Sequence, residues 1–206
     1  MKLISILDHG SVQLIEHWGS DERVIEAARQ STGKGFLGWE NDEKLLAYLY
    51  NNKHSTPFEM CGLTIQVKAP IFVFREWHRH RTQSFNEMSG RYIPLPDEHY
   101  LPSIERIMNG ANTVTSNKQA QGISKGPMGG HTAACVQVLL RESYRVAQEN
   151  YVEMLALGTP KELARLVIPV ARYSTMMASA NLRNWLAFLT LRNAPNAQWE
   201  IQEYAK

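Results

Sequence analysis

Apolar and polar residues alternate over 62–68, where Leu63, Ile65 and Val67 interleave with Thr64, Gln66 and Lys68. A two-residue period puts the apolar set on one face of a strand. Short strands are also expected over 2–6 and 12–17, with a turn at His9-Gly10, and over 173–181. Helical spacing governs 132–157, where Val136, Leu139, Leu140, Ala147, Tyr151, Met154 and Leu155 recur at three- and four-residue steps until Gly158 stops the run. Further helices are expected over 21–29 behind the cap Ser20, over DEKLLAYLYN behind Asn41, over 71–81 leading into a loop, over 182–191, and over 197–206. Thr56-Pro57-Phe58-Glu59 and Thr159-Pro160-Lys161-Glu162 both read as capping boxes with Pro at the first helical position. Residues 93–131, with four prolines and five glycines, read as a long turn-rich loop of the kind that serves function. There is no internal repeat. The order predicts an α+β fold, a single mixed domain over 1–206 with a small sheet and long helices.

Composition narrows the class. With 206 residues, 44% hydrophobic and 20% charged, the chain can bury a core, which excludes extensive disorder. No apolar run approaches the length of a transmembrane helix, and MKLISIL is too short for a secretory signal, so the expected setting is the cytoplasm. Cys61 and Cys135 form no CxxC pair and are expected to be reduced, small and buried.

Charge says more by position than in total. The chain carries 22 Lys+Arg against 20 Asp+Glu, too balanced for a strongly basic nucleic-acid binder. Residues 75–91 hold Arg75, Arg79, Arg81 and Arg91 against Glu76 and Glu87, so the other 189 residues sum to zero. Residues 163–199 hold Arg165, Arg172, Arg183 and Arg192 with no Asp, Glu or Lys. The planar guanidinium fork matches phosphate and carboxylate and tolerates partial burial better than an ammonium. Several of these arginines lie in apolar runs such as LVIPVA and NWLAFLTL, and buried guanidinium groups need partners. Those must come from elsewhere in the fold, from another subunit or from anionic ligands, and the expectation is that the arginines gather in one pocket.

The segment FREWHRHRTQSFNEMSGRY (74–92) is the most specific feature. Arg79-His80-Arg81 followed by Asn86, Glu87, Ser89, Gly90, Arg91 and Tyr92 resembles the signature of the flavin-dependent thymidylate synthases. His54-Ser55-Thr56-Pro57-Phe58-Glu59, Ala164-Arg165 with Ile168-Pro169, Asn181-Leu182-Arg183, and Leu191-Arg192 followed by Ala197-Gln198-Trp199-Glu200 resemble further elements of that family, in its order. The resemblance implies a homotetramer with FAD at subunit interfaces. It implies conversion of dUMP to dTMP, with methylenetetrahydrofolate as carbon donor and NADPH as reductant. By motif position it implies flavin contacts from His54, Thr56, Arg79, His80, Arg81, Glu87, Asn181 and Arg183. It implies dUMP contacts from Glu76, Arg79, Glu87, Ser89, Gly90, Arg91 and Arg165, and it makes Arg192 the catalytic arginine that polarises the uracil ring.

The residues suit that chemistry. Adding a carbon to C5 of uracil requires stabilising negative charge on the ring, which preorganised cationic donors do. A phosphate dianion and a pyrophosphate must also be held, so the site should be arginine-rich and acid-poor. Other readings stand beside this one. Ser89 could be a nucleophile, a nucleotide-binding hydroxyl or a structural serine, and no base is positioned beside it at a defensible spacing. His78 and His80 point roughly 200° apart on a helix, and no cysteine pair completes a site, so no metal is expected. Glu87 could pair with Arg91, Thr56 and Glu59 could be helix caps only, and Trp185, Phe188 and Leu189 read as core. Three positions depart from the family pattern: Asn196 where a His is frequent, Glu76 where Gln is common, and Ala187 where some relatives carry a polar residue. A carboxylate at 76 repels a phosphate unless paired with Arg75 or Arg79. The departures leave open a related C5 modification, such as hydroxymethylation of dUMP, or another uridine nucleotide.

Overall fold

In a computed structural model, which describes residues 3–112 and 128–206, the alternating stretch becomes the central strand of a five-stranded antiparallel sheet. Strands β1 (Leu3–Ile6), β2 (Gly10–Trp18), β3 (Gly62–Pro70), β4 (Ser84–Glu87) and β5 (Tyr173–Asn181) take the order β1-β2-β3-β5-β4. The expected α+β class is therefore borne out. Ile65, Val67 and Ala69 of β3 and Met176, Ala178 and Ala180 of β5 are buried on one face of the sheet. Against that face pack α3 (Ile71–Trp77), α7 (Leu182–Arg192) and α8 (Trp199–Ala205), contributing Trp77, Trp185, Phe188 and Ile201. Trp185 and Phe188 are core as expected, but Leu189 is exposed on the outer side of α7. A second apolar cluster joins Val24 and Ile25 of α1 (Asp21–Arg29) to Leu49 of α2 (Trp39–Asn51), Phe58 and Cys61.

Gly62 opens β3 between two close neighbours. A Cβ there would collide with the Trp18 ring and the Ala180 carbonyl, and would lie 2.7 Å from Asn181 Cα. Two of these obstacles are backbone in paired strands and cannot move aside. Gly62→Ala should therefore cost about 1–3 kcal/mol through forced backbone shifts. Thermal unfolding checks this: the variant's midpoint should fall by several degrees, and an unchanged midpoint would refute the close packing.

Several elements differ from the sequence expectation. Helix α2 starts at Trp39, because Asn41 and Asp42 already bond within its first turn, to Gly38 and Leu37. Neither capping box forms. Thr56–Glu59 is a single 3-10 turn whose preceding residue is Ser55, and α6 (Lys161–Ala164) follows Pro160, with no side-chain cap in either. The start slips one residue in opposite directions in the two segments, which breaks the reciprocal spacing a box needs. Helix α3 stops at Trp77, whose indole N–H donates to Gln83 Oε1 (3.0 Å) and closes a turn that feeds β4. The expected loop 93–131 contains α4 (Ile104–Asn112), started by Ser103 Oγ accepting the Arg106 N–H at 3.0 Å. Its stretch 113–127 lies outside the described residues. The long helix is α5 (Gly130–Ala156). Cys61 is buried, but Cys135 is exposed, on the outer face of α5.

Candidate functional site

Helix α7 carries Arg183 and Arg192, each at the edge of a cavity. Its start is fixed by Asn181, the last residue of β5, whose side chain accepts the Asn184 N–H (3.0 Å). This N-cap welds helix to strand. Arg183, one residue into the helix, gives its guanidinium to the Glu59 carboxylate from the 3-10 turn. Glu59, read as a cap, serves instead as a cross-link. Beside them a 380 Å³ cavity is lined by Tyr50, His54, Phe58, Arg183, Leu186 and Ala187 among others. His54 packs edge-on against Tyr48, ring centres 5.6 Å apart.

Arg192 closes the other end of α7. Its Nε donates to His80 Nε2 at 2.7 Å, its NH1 to the Glu76 carboxylate, and its NH2 to the Glu76 carbonyl at 3.4 Å. His80 stands over the Phe188 ring at 4.9 Å. Accepting at Nε2 requires neutral imidazole with its proton on Nδ1. Burial and the adjacent Arg192 guanidinium push the His80 pKa below its ordinary value, with Glu76 opposing in part. Glu76 and Arg192 border a cavity of about 1050 Å³, whose wall also includes Arg106, Asn196 and Trp199. Leu191 lines both cavities and separates them.

The Ser89 loop stands apart, beyond the end of the edge strand β4. Ser89 Oγ accepts the Arg91 N–H (3.3 Å), and the Cβ position of Gly90 is 3.5 Å from Arg165 Cδ, so this loop packs on the Arg165 stem. Arg91 pairs with Glu162 at 3.4 Å and not with Glu87, because 87–91 is not helical. Among the described residues, Arg75, Arg79, Arg81 and Arg165 have no ion pair and are exposed. Glu76 pairs with neither Arg75 nor Arg79. Thr56 lies in another cleft, with Arg23, Glu26, Lys34 and Met60. Within one chain, then, the arginines do not gather in one pocket. Arg192 has joined Glu76 and His80, Arg183 has joined Glu59, and the Ser89 loop with Arg165 forms a third group.

Arg172 and two histidines, His99 and His78, settle as scaffold. Arg172 is fully buried and donates to the Pro96 carbonyl (2.7 Å) and to Gln148. Burial, and after it the Arg172 guanidinium, push His99 down to about 4. His78 turns between Phe74 and Phe85, its Nε2 3.2 Å from Met176 Sδ, away from His80. Sequence reasoning missed the loop Gly33-Lys34-Gly35 that lines the Thr56 cleft. Its two glycines around a lysine, after a helix rich in charge, were the available signal. It also missed Arg106, whose guanidinium lies 5.3 Å from the Trp199 ring centre in the wall of the large cavity.

Residues 13–206 match the family model described as thymidylate synthase complementing protein. The chain is 40% identical over 202 residues to a flavin-dependent thymidylate synthase of Anaplasma marginale, covering 98% of this chain and 67% of that one. It is 39% identical over 207 residues to that of Pseudothermotoga lettingae, covering 98% and 84%. Among solved structures it resembles the UMP/dUMP methylase PolB of Streptomyces cacaoi bound with 5-Br dUMP. There the TM-score is 0.83 at 34% identity, over 98% of this chain and 89% of that one. The same methylase bound with 5-Br UMP gives a TM-score of 0.82 at 32% identity, over 98% and 88%.

Proposed function

This chain belongs to the thymidylate synthase complementing protein family, and we propose that it makes dTMP from dUMP as a flavin-dependent thymidylate synthase. Methylenetetrahydrofolate is the carbon donor, FAD the flavin and NADPH the reductant. One observation carries the reading: a half-buried arginine, held at three points, edges a cavity large enough for a nucleotide. Arg192 uses one hydrogen on each of its three nitrogens for the clamp, leaving one on each terminal nitrogen. Donors on the two terminal nitrogens suit the oxygen of an imide or enolate, where charge builds as C5 of uracil becomes nucleophilic.

The residues also fit a flavin. Tyr50, Phe58, Leu186 and Ala187 offer flat apolar surface, and His54 and Arg183 add a nitrogen donor set beside it. Thr56 and the Gly33-Lys34-Gly35 loop line a cleft with the charge and backbone access a pyrophosphate needs. When bound, the flavin supplies the reducing equivalents, drawn from NADPH, that convert the transferred carbon to a methyl group. His54, Thr56, Arg79, His80, Arg81, Glu87, Asn181 and Arg183 hold it in this reading. The Ser89-Gly90-Arg91 loop and Arg165, with Arg79 and Glu87, bind the dUMP phosphate and sugar.

Separation of these groups within one chain supports self-association, with a homotetramer as the proposed form, because another copy can bring the Ser89 loop to Arg192. Exposed Val138 and Leu139 on α5, with Leu157, Leu163, Leu166 and Val170 after it, supply the apolar surface such an assembly buries. No helix among the described residues is long and apolar enough to cross a membrane, and we assign the enzyme to the cytoplasm.

The test is tritium release from 5-tritiated dUMP by the purified, FAD-loaded chain with methylenetetrahydrofolate and NADPH. Release should require all three, and mass spectrometry should find dTMP. A 5-hydroxymethyl product would favour the related modification. The likeness to a UMP/dUMP methylase makes UMP the second substrate to try. No release and no flavin uptake would overturn the proposal.

A further inference from the structure

We propose that Glu76 is a positioning residue for Arg192, and does not itself bind the nucleotide. This inference rests on the reading of Arg192 as the arginine that polarises the uracil ring. Glu76 contributes two acceptors from one residue: its carboxylate takes NH1 of Arg192, and its backbone carbonyl, near the end of α3, lies 3.4 Å from NH2. His80 takes Nε from the adjacent turn. The guanidinium plane is thus fixed by two residues of one short segment, 76–80, meeting the end of a helix that approaches from 112 residues further along the chain. With its side chain 14% exposed and the Glu76 carboxylate in place, Arg192 has little freedom to leave.

The arrangement also resolves what a carboxylate does beside a phosphate site. Glu76 spends its charge on Arg192, so the nucleotide meets a nearly neutral ion pair whose remaining N–H groups keep their direction. Arg192 then acts by oriented donors as much as by net charge, which is what preorganised stabilisation of a delocalised oxyanion needs. A glutamine at 76 preserves one acceptor and the carbonyl, but it removes the negative charge from both Arg192 and His80.

His80 reports on the clamp. The charged groups acting on it are Arg192 from α7, which favours its neutral form, and Glu76 from α3, which more weakly favours its protonated form; Phe188 packs on the ring. The two variants at 76 should therefore move His80 in opposite directions. Glu76→Gln keeps Arg192 in place and removes the opposing carboxylate, so His80 titrates at lower pH than in the parent. Glu76→Ala releases Arg192, the larger influence, so His80 titrates at higher pH than in the parent. NMR titration of the His80 imidazole in FAD-loaded protein reads this without reference to turnover.

Kinetics supply the second readout. Glu76→Ala should lower kcat for dTMP formation about 30-fold with KM for dUMP changed less than about threefold, because orientation is lost while phosphate contacts persist. Glu76→Gln should recover most of that loss. If instead KM rises and kcat holds, Glu76 binds the nucleotide directly and the proposal is overturned. His80 moving the same way in both variants also overturns it. Parent enzyme that forms no dTMP would sink the reading of the reaction, whereas the opposed His80 shifts would still stand or fall on their own.

Discussion

Arg192→Ala is expected to lower dTMP formation by roughly 100- to 1000-fold while FAD affinity changes by less than about tenfold. Removing one preorganised donor from an oxyanion site typically costs this much in kcat. Arg192 presents two N–H groups and, after burial, is the charge that lowers the His80 pKa, so the loss should lie toward the upper end. Flavin binding is largely spared because, of the proposed flavin contacts, only His80 bonds to Arg192, while His54 and Arg183 line a different cavity that shares Leu191 with this one. The measurement is single-turnover dTMP formation beside a fluorescence titration of FAD. Equal loss in both would mean that Arg192 is principally a flavin ligand.

Glu200→Ala is the largest expected loss of stability, about 2–4 kcal/mol. Glu200 is 4% exposed and accepts from Tyr100 (3.2 Å), from Arg106 Nε (2.9 Å) and from Gln198 (3.2 Å). Removing one partner of a buried ion pair strands the other, which costs more than the pair is worth. Arg106 keeps some solvent access, which lowers the figure. The consequence reaches the site, since Arg106 and α4 form one wall of the 1050 Å³ cavity. Denaturant unfolding should show the drop in midpoint, and Glu200→Gln should lose less, since an amide still accepts from Arg106. A variant as stable as the parent would show that α4 is held by other contacts.

The sheet was legible because a two-residue period survives in 62–68 and two strands are joined by a turn, which was expected at His9-Gly10 and lies at 7–9, with Gly10 opening β2. The long helix was legible from its spacing. Edge strand β4 was not, because Ser84–Glu87 has no alternation of its own and is a strand only through its ladder with β5. Helix α4 was hidden by the prolines around it, although Ser103 before Arg106 was a usable cap signal. The two capping boxes failed for a common reason: four residues with the right chemistry do not fix which of them begins the helix.

The motif residues pointed to 54–59, 76–91, 165, 181–183 and 192 as the expected carriers of the chemistry. Which of them meet was beyond the sequence, since that depends on distant segments. Glu59 to Arg183 and Glu76 to Arg192 each span more than a hundred residues. The arginine-rich, acid-poor stretch at 163–199 drew its carboxylates from such distant places, as buried or half-buried guanidinium groups require. Arg172 shows the limit of counting charges, because backbone carbonyls and an amide satisfy much of it.

Arg183 and Arg192 are nine residues apart on a single continuous helix, which puts their Cα atoms about 13.5 Å apart along the axis and on opposite sides of it. Such a rod acts as a spacer with two outlets facing away from each other. No one small molecule lies flat against both, so they should serve two different guests, and a tilt of the rod would reposition both outlets together.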